Sequence, residues 1–203
     1  MIKSILFDFD GVLTIDKTGS TSITKYISQQ TNIPLDIVKA SYYKYNKKLL
    51  IGEIIHEDMW ADFCNDVGKQ IPYQVLIDSF KNTALDERMF NYIKELKKSY
   101  RIGMITDNKV DRIEIILKHN HCTDYFDVVA ISAKQHSGKE NSPIFQYVLD
   151  NLKVKATECV FIDNTEKNLL VPARMGMKTV LFDDENREFQ AFARSLSAIL
   201  EER

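Results

Sequence analysis

Hydrophobic positions follow two patterns along the chain, and the first fourteen residues show one of them clearly. Ile5, Leu6 and Phe7 form an unbroken apolar run, which is typical of a strand buried on both faces of a parallel sheet. The run ends on two acids one residue apart, Asp8 and Asp10. Because side chains alternate along a strand, both carboxylates are expected on one side, at the strand end where open α/β sheets place ligands.

From residue 86 to the end of the chain, short apolar runs alternate with segments of helical periodicity. This alternation predicts a mostly parallel sheet covered by helices on both faces, and therefore an α/β fold. A polar loop is expected between residues 132 and 142. The predicted strands after the first are residues 102–105, 128–131, 159–162 and 179–182, and the predicted helices include residues 90–96, 113–117, 144–152, 169–175 and 188–200.

The segment between these two regions has a different pattern. Residues 22–80 show helical periodicity without a strand pattern, and turn signals near Asn32, Gly52 and Gly68 divide them into four helices. Four helices set between strand-bearing regions predict an inserted helical bundle. The predicted domains are an α/β core formed by residues 1–14 and 85–203, and a helical insert formed by residues 15–84.

Composition and charge narrow the classes of protein to consider. The 203 residues are 44% hydrophobic and 28% charged, as in an ordinary soluble domain, and the net charge of -2 gives no electrostatic case for a nucleic-acid partner. No apolar run approaches the roughly 18 residues of a membrane span, and early acids argue against a signal peptide. The three cysteines are widely spaced, which argues against a disulfide framework and a zinc site. We therefore expect a cytoplasmic protein without a membrane partner, and the oligomeric state is left open.

Polar side chains with versatile chemistry come directly after three of the predicted strands or lie in the predicted loop. One such residue at a strand end is weak evidence, but all of these groups are expected at the same edge of one sheet, which packing alone does not explain. The groups are Asp8 and Asp10, then Thr106, Asp107 and Asn108, then Lys139, and finally Asp163 and Asn164.

Together these side chains have the parts that phosphoryl transfer requires. Asp8, Asp10 and Asp163 offer oxygen ligands at one point, a set suited to Mg²⁺. Lys139 and the metal would neutralise a phosphate dianion, and the hydroxyl of Thr106 with nearby backbone N–H groups would hold its oxygens. One aspartate could then attack phosphorus, while the second donates a proton to the leaving group and later accepts one from water.

The segment from Asp8 to Thr14 resembles the first motif of the haloacid dehalogenase superfamily, whose members are mostly phosphatases. The resemblance covers residues 1–14 and 85–203, and it implies a Rossmann-like core. The helical insert is similar to the all-helical cap that one subfamily carries after its first motif. Three further matches follow in the order of the family, with Thr106 in the second motif, Lys139 in the third, and Asp163, Asn164 and Asn168 in the fourth.

The resemblance implies a role for each of these residues, with Mg²⁺ as the cofactor. Asp8 would be the nucleophile and a metal ligand. Asp10 would be the general acid and base, with its backbone carbonyl also on the metal. Asp163 would be a further metal ligand, supported by Asn164. The implied phosphate-binding residues are Thr106, Asp107, Asn108 and Lys139, the last of which also steadies the nucleophile.

The sequence departs from the family pattern in two places. Asp107 stands where the family commonly has asparagine, which leaves the phosphate contacts of the second motif open because an acid repels a phosphate. Residues 140–143 replace the usual proline-rich surroundings of Lys139. Neither departure removes a catalytic group.

These residues favour an enzyme that hydrolyses a small phosphorylated metabolite, such as a sugar phosphate, through an aspartyl-phosphate intermediate. A sugar-phosphate mutase on the same core is the alternative. A dehalogenase is disfavoured, because dehalogenases of this family lack the acid at the position of Asp10. A receiver domain would carry its first acids side by side and no helical insert, and a non-catalytic descendant would not be expected to retain every motif group. His56 is expected to be a surface or bundle residue rather than a catalyst.

Overall fold

Within residues 1–201, which the computed structural model describes, five strands form one fully parallel sheet. The order across the sheet is β3-β2-β1-β4-β5, so the chain builds one half outward from β1 and then returns to build the other half. The predicted α/β class with a Rossmann-like sheet is therefore confirmed. The strands are β1 Ser4–Phe7, β2 Arg101–Thr106, β3 Val128–Ile131, β4 Cys159–Asp163 and β5 Lys178–Leu181.

The position of β1 decides where a ligand crevice lies. Phe7 pairs with Met104 of β2 on one side and with Ile162 of β4 on the other, so β1 is covered along both edges. The backbone N–H of Asp8 continues this pairing with a 2.8 Å hydrogen bond to the carbonyl of Ile162. Because the strand order reverses beside β1, its carboxyl end is the topological switch point, where open α/β sheets bind ligands.

The helices of the described residues agree with the predicted pattern except in one loop. The expected polar loop at 132–142 begins with a one-turn helix, Ser132–Gln135, which His136 ends in the left-handed conformation at φ 50°. A single turn is too short to produce the periodicity by which a helix is detected in a sequence. The helices are α1 Gly19–Thr31, α2 Leu35–Leu50, α3 His56–Asp66, α4 Tyr73–Lys81, α5 Glu87–Leu96, α6 Val110–His119, α7 Ser132–Gln135, α8 Pro143–Leu152, α9 Glu166–Met175 and α10 Phe189–Glu201.

The helical insert contacts the rest of the chain through α4, which packs on α6, and α2, which reaches α7. Buried side chains of the insert, such as Ile23 and Tyr42, belong to the same hydrophobic cluster as Ile5 and Phe7 of β1. A second cluster covers the opposite face beneath α8 and α9. The insert therefore shares its apolar core with the sheet. No helix in the described part of the chain is both long and apolar enough to cross a membrane.

The two chain segments that connect the insert to the sheet run side by side. Thr14 and Leu85 form an antiparallel bridge, and the N–H of Asp86 donates to the carbonyl of Leu13 at 2.9 Å. Arg187 holds the two connecting segments together, because its guanidinium donates to the carbonyls of Gly11 and Val12 in the first and to the carboxylate of Asp86 in the second.

Asp86 is the acid on which this fastening depends, and it is only 4% exposed. Burial alone would raise the pKa of Asp86, but hydrogen bonds from Arg88 and Arg187 outweigh it and lower the pKa to about 2. The ionised carboxylate is therefore favoured by folding.

We expect Asp86→Asn to lower the free energy of unfolding at pH 7 by about 2–4 kcal/mol, because it removes that contribution and leaves Arg187 unpaired. A lowered folded-state pKa stabilises the protein fully above pH ~4, and this contribution disappears as the pH falls toward 2. The difference between wild type and variant, measured by urea unfolding at pH 7 and pH 2.5, should therefore shrink at the lower pH. Exposed Asp62→Asn should change stability by less than about 0.5 kcal/mol. A difference that does not vary with pH would contradict the assignment.

Candidate active site

Two acids at neighbouring strand ends share one lysine. The Nζ atom of Lys139 lies 2.9 Å from Oδ1 of Asp8 and 2.6 Å from Oδ2 of Asp163, and all three residues are buried. Burial alone would lower the pKa of Lys139, but the charges of the two carboxylates raise it above its ordinary value. The charged form of Lys139 is therefore favoured between the ends of β1 and β4.

The two oxygens of Asp8 have different environments. Oδ1 accepts one hydrogen bond from the Phe9 N–H at 2.7 Å and contacts Lys139. Oδ2 accepts none from residues 1–201, and Asp8 lines the cavity at this edge of the sheet. Burial raises the pKa of Asp8 well above its usual range, Lys139 opposes this, and the charges of Asp163 and Asp10 add to the increase. Additional positive charge beside Asp8 would favour its ionised form.

Asp163 is held by more hydrogen bonds than Asp8. Its Oδ1 accepts from the Thr165 N–H at 2.8 Å and from Nδ2 of Asn168 at 3.1 Å. Asn164, which the resemblance assigns to this supporting role, instead donates to Asp184 at 2.8 Å. The side chain of Asn164 also packs against Gly11 so closely that a Cβ there would collide with it. The structure therefore brings Asn168 to the carboxylate, and places Asn164 against the turn after β1.

The last residue of β2 and the two residues after it divide between two tasks. Thr106 lines the cavity, and its hydroxyl accepts from Nδ2 of Asn108 at 3.2 Å. Asp107 turns toward the loop that carries Lys139 and accepts a hydrogen bond from the Lys139 N–H at 3.0 Å. Burial raises the pKa of Asp107, with Lys139 opposing. The acid that departs from the family pattern thus fixes the backbone of Lys139, while the predicted phosphate contacts of Thr106, Asp107 and Asn108 stay predictions.

Arg112 is a residue of this site that the sequence reasoning missed. Its guanidinium forms a two-pronged ion pair with Asp10, with Nη1 to Oδ2 and Nη2 to Oδ1 both at 2.9 Å. Arg112 is 0% exposed and lies on α6 one turn before Ile116. The available signal was an arginine next to the apolar stripe of a predicted helix, because a buried guanidinium requires an acid.

Both oxygens of the Asp10 carboxylate accept hydrogen bonds from residues outside the helical insert. Besides Arg112, it accepts from Nδ2 of Asn108 at 2.7 Å and from the Thr14 hydroxyl at 3.4 Å. Within residues 1–201, no three acidic, histidine or cysteine side chains come together in a way that could hold a metal ion. The two carboxylates that contact Lys139 together are those of Asp8 and Asp163. Since the side chain of Asp10 is turned to Arg112, its backbone carbonyl is the part of Asp10 that stays a predicted metal ligand.

A cavity of about 340 Å³ opens between this edge of the sheet and the helical insert. Asp8, Thr106 and Lys139 line it from the core, and Ser20 and Asn46 line it from the insert. A volume of this size suits a small organic molecule.

His56 lies at the junction of the insert and the core, outside this cavity. Its Nε2 is 2.8 Å from the hydroxyl of Tyr42, and its Nδ1 is 2.7 Å from Oδ2 of Asp111 on α6. Burial lowers the pKa of His56, although Asp111 opposes this effect. His56 is fully buried and connects the insert to the core, which agrees with a structural role.

Comparison with known proteins places the chain among relatives of similar architecture. The sequence model for the family described as haloacid dehalogenase-like hydrolase matches residues 5–182. The D-ribitol-5-phosphate phosphatase of Bacteroides thetaiotaomicron is 24% identical over 199 residues, which cover 92% of this chain and 93% of that protein. Bifunctional epoxide hydrolase 2 of Sus scrofa is 22% identical over 209 residues, which cover 90% of this chain but 37% of that protein.

Solved structures show the same fold. A haloacid dehalogenase (HAD) family enzyme of Bacteroides thetaiotaomicron, solved with magnesium and inorganic phosphate, superposes with a TM-score of 0.70 and 18% identity. The superposition covers 91% of this chain and 96% of that chain. At this identity the likeness establishes the architecture, and the chemistry of the site has to be argued from its residues.

The ion pair between Arg112 and Asp10 leads to a prediction about stability. We expect Arg112→Met to lower the free energy of unfolding by about 3–5 kcal/mol, because it leaves the Asp10 carboxylate buried without a counter-charge. The double variant with Asp10→Asn should lose less than the sum of the single changes, with a coupling of at least about 2 kcal/mol.

Urea unfolding of the wild type, the two single variants and the double variant measures this coupling. Arg174→Met, on the exposed side of α9, is the matched control and should leave stability within about 0.5 kcal/mol of the wild type. Strictly additive losses for Arg112→Met and Asp10→Asn would show that the two side chains do not stabilise each other.

Proposed function

The chain belongs to the haloacid dehalogenase-like hydrolases, and from that premise we propose that it is a Mg²⁺-dependent phosphatase of a small phosphomonoester. The expected substrates are sugar phosphates, polyol phosphates or similar metabolites, cleaved through an aspartyl-phosphate intermediate. The single observation that carries the proposal is the geometry of Asp8, which has one oxygen held by Lys139 and the other without a hydrogen-bond partner in residues 1–201, next to the cavity. Relatives that include a D-ribitol-5-phosphate phosphatase support it.

The donor set supports a magnesium ion at this point. Asp8 and Asp163 supply oxygen ligands only, which suits a hard cation. Among residues 1–201 these two carboxylates contact one ammonium group, that of Lys139, so the cluster has a net negative charge when both are ionised, and a bound cation would favour that form. The ion would be held by Asp8, Asp163 and the backbone carbonyl of Asp10, and when bound it would neutralise charge on the phosphate oxygens.

The protein's own residues account for the remaining chemistry. In the first step Oδ2 of Asp8 forms a bond to phosphorus while the ester P–O bond breaks, and Asp10 gives its proton to the departing oxygen. In the second step Asp10 takes a proton from the water that cleaves the aspartyl phosphate. Arg112 and Asn108 hold both oxygens of Asp10 in this structure, so each transfer requires one of these hydrogen bonds to open. Lys139 offsets negative charge on Asp8 and on the phosphate.

The proposal also places the enzyme in the cytoplasm. Cys64, Cys122 and Cys159 are free and buried, which fits a reducing compartment. The mutase alternative uses the same residues and differs only in the group that receives the phosphoryl from Asp8. Incubation with a sugar phosphate and Mg²⁺ separates the two activities, because hydrolysis releases inorganic phosphate and a mutase yields an isomeric sugar phosphate.

We expect Asp8→Asn to reduce the turnover of p-nitrophenyl phosphate by at least about 10³-fold, because the amide cannot attack phosphorus. Phosphate release at saturating Mg²⁺ measures the loss, and circular dichroism verifies that the variant is folded. Asp16→Asn, which removes an acid outside the cavity, should retain wild-type turnover. A folded Asp8→Asn protein with undiminished turnover would overturn the mechanism.

Removal of divalent metal should also abolish turnover, because Lys139 alone does not balance Asp8, Asp163 and a phosphate dianion. EDTA is expected to reduce activity to background, and added Mg²⁺ to restore it. Mg²⁺ should raise the melting temperature of the wild type and have little effect on Asp163→Asn, because only a ligand that binds the folded state shifts its unfolding. Full activity in EDTA would contradict the proposed cofactor.

A further inference from the structure

The lysine that precedes α6, Lys109, lies in the same cavity and has no acidic partner among residues 1–201. Lys109 is 4% exposed and lines the cavity beside Ser20 and Asn46. In the described part of the chain, its Nζ contacts the hydroxyl of Ser20 at 3.3 Å and the ring face of Tyr42 at 5.5 Å. The other buried cations at this edge of the sheet, Lys139 and Arg112, each have a carboxylate at 2.9 Å or less.

These contacts do not compensate for burying the ammonium group. Desolvation of a charged lysine costs several kcal/mol, whereas a long hydrogen bond to a hydroxyl and one ring contact return only about 1–3 kcal/mol. Burial, together with the charge of Arg112, lowers the pKa of Lys109 to about 7, although Asp10 and Asp111 oppose the effect. An anion in the cavity next to Lys109 would favour its charged form.

The hydrogen bonds around Lys109 form a chain in which each side chain donates to the next, so that the groups left over are N–H donors. Lys109 donates to Oγ of Ser20, and Ser20 donates to Oδ1 of Asn46 at 2.9 Å. The remaining N–H groups of Lys109 and the amide N–H groups of Asn46 have no partner within residues 1–201. The group that fits here must therefore accept hydrogen bonds and carry negative charge.

We propose that Lys109, Ser20 and Asn46 form a second anion subsite, and that it binds a carboxylate on the organic part of the substrate. This inference rests on the proposed function, which places the phosphoryl group at Asp8, and it narrows the substrate to a phosphorylated carboxylic acid. One ammonium group matches one carboxylate in charge. The cavity of about 340 Å³ has room for both groups if a few carbon atoms separate them.

The test compares two esters that differ only in the carboxylate. 3-Phosphoglycerate and glycerol 3-phosphate have the same carbon skeleton, and one ends in a carboxylate where the other ends in a hydroxymethyl group. Wild-type kcat/KM is expected to favour 3-phosphoglycerate by 10-fold or more. Lys109→Met should reduce this preference by about 10–100-fold, the loss expected for one charge-assisted hydrogen bond. Lys118→Met, which changes an exposed lysine near the end of α6, should retain the wild-type preference.

Asn46→Asp provides a second variant for the case in which Lys109→Met does not fold. Asn46 is half-buried on the insert, and an aspartate there would pair with Lys109 and repel the substrate carboxylate. The preference for 3-phosphoglycerate should fall in this variant as well. A preference that persists in folded Lys109→Met or in Asn46→Asp would overturn the subsite.

Two further outcomes separate the possible failures. If the wild type releases phosphate from both esters at equal kcat/KM, the subsite is wrong while the phosphatase proposal holds. If neither these esters nor p-nitrophenyl phosphate is hydrolysed, the proposed function itself fails.

A comparison of kcat/KM for fructose 1,6-bisphosphate and fructose 6-phosphate tests whether the bound anion is a second phosphate. A larger preference for the bisphosphate than for the carboxylate would overturn the assignment to a carboxylic acid.

Discussion

The arrangement of the site follows from one requirement, that carboxylates buried at a sheet edge have a cation within hydrogen-bonding distance. Lys139 meets this requirement for Asp8 and Asp163, which β1 and β4 bring together because the two strands are neighbours that end at the same level. An unpaired carboxylate at either position would bear most of the cost of its desolvation. The position of Lys139 is itself fixed, because Asp107 at the end of β2 accepts its backbone N–H.

A second ion pair separates two acids that are neighbours in sequence. Asp8 and Asp10 are one residue apart, yet Asp8 contacts Lys139 and Asp10 contacts Arg112. If both acids shared one cation, their charges would be coupled and neither could be oriented independently. Separate cations leave one oxygen of Asp8 accessible while both oxygens of Asp10 are held. In the proposed reaction the free oxygen of Asp8 attacks phosphorus, and Asp10 transfers protons once a hydrogen bond from Arg112 or Asn108 opens.

The sequence was sufficient for the α/β class, the strand positions and the helical periodicity of the insert, because buried strands and amphipathic helices have local apolar patterns. It also predicted that Asp8, Lys139 and Asp163 would meet, because strand ends of a parallel sheet converge on one edge. It did not predict the pair between Arg112 and Asp10, which are 102 positions apart. It also assigned the support of Asp163 to Asn164, whereas Asn168 makes that contact. The reason is that side-chain direction at a helix start depends on tertiary neighbours. The turn at α7 was too short for any periodic signal.

The contact surface between the insert and the core includes both the residue that orients Asp10 and the proposed anion subsite. Gly19, at the start of α1, lies so close to the guanidinium of Arg112 that a Cβ at this position would collide with it. A displacement of the insert would therefore disturb Arg112 and, through it, the orientation of Asp10. The proposed anion subsite spans the same boundary, because Lys109 comes from the core and its hydrogen-bond partner Ser20 from α1. Because α1 contacts the residue that orients Asp10 and also completes the proposed subsite, the position of the insert would set both the geometry of proton transfer and the choice of substrate in the proposed reaction.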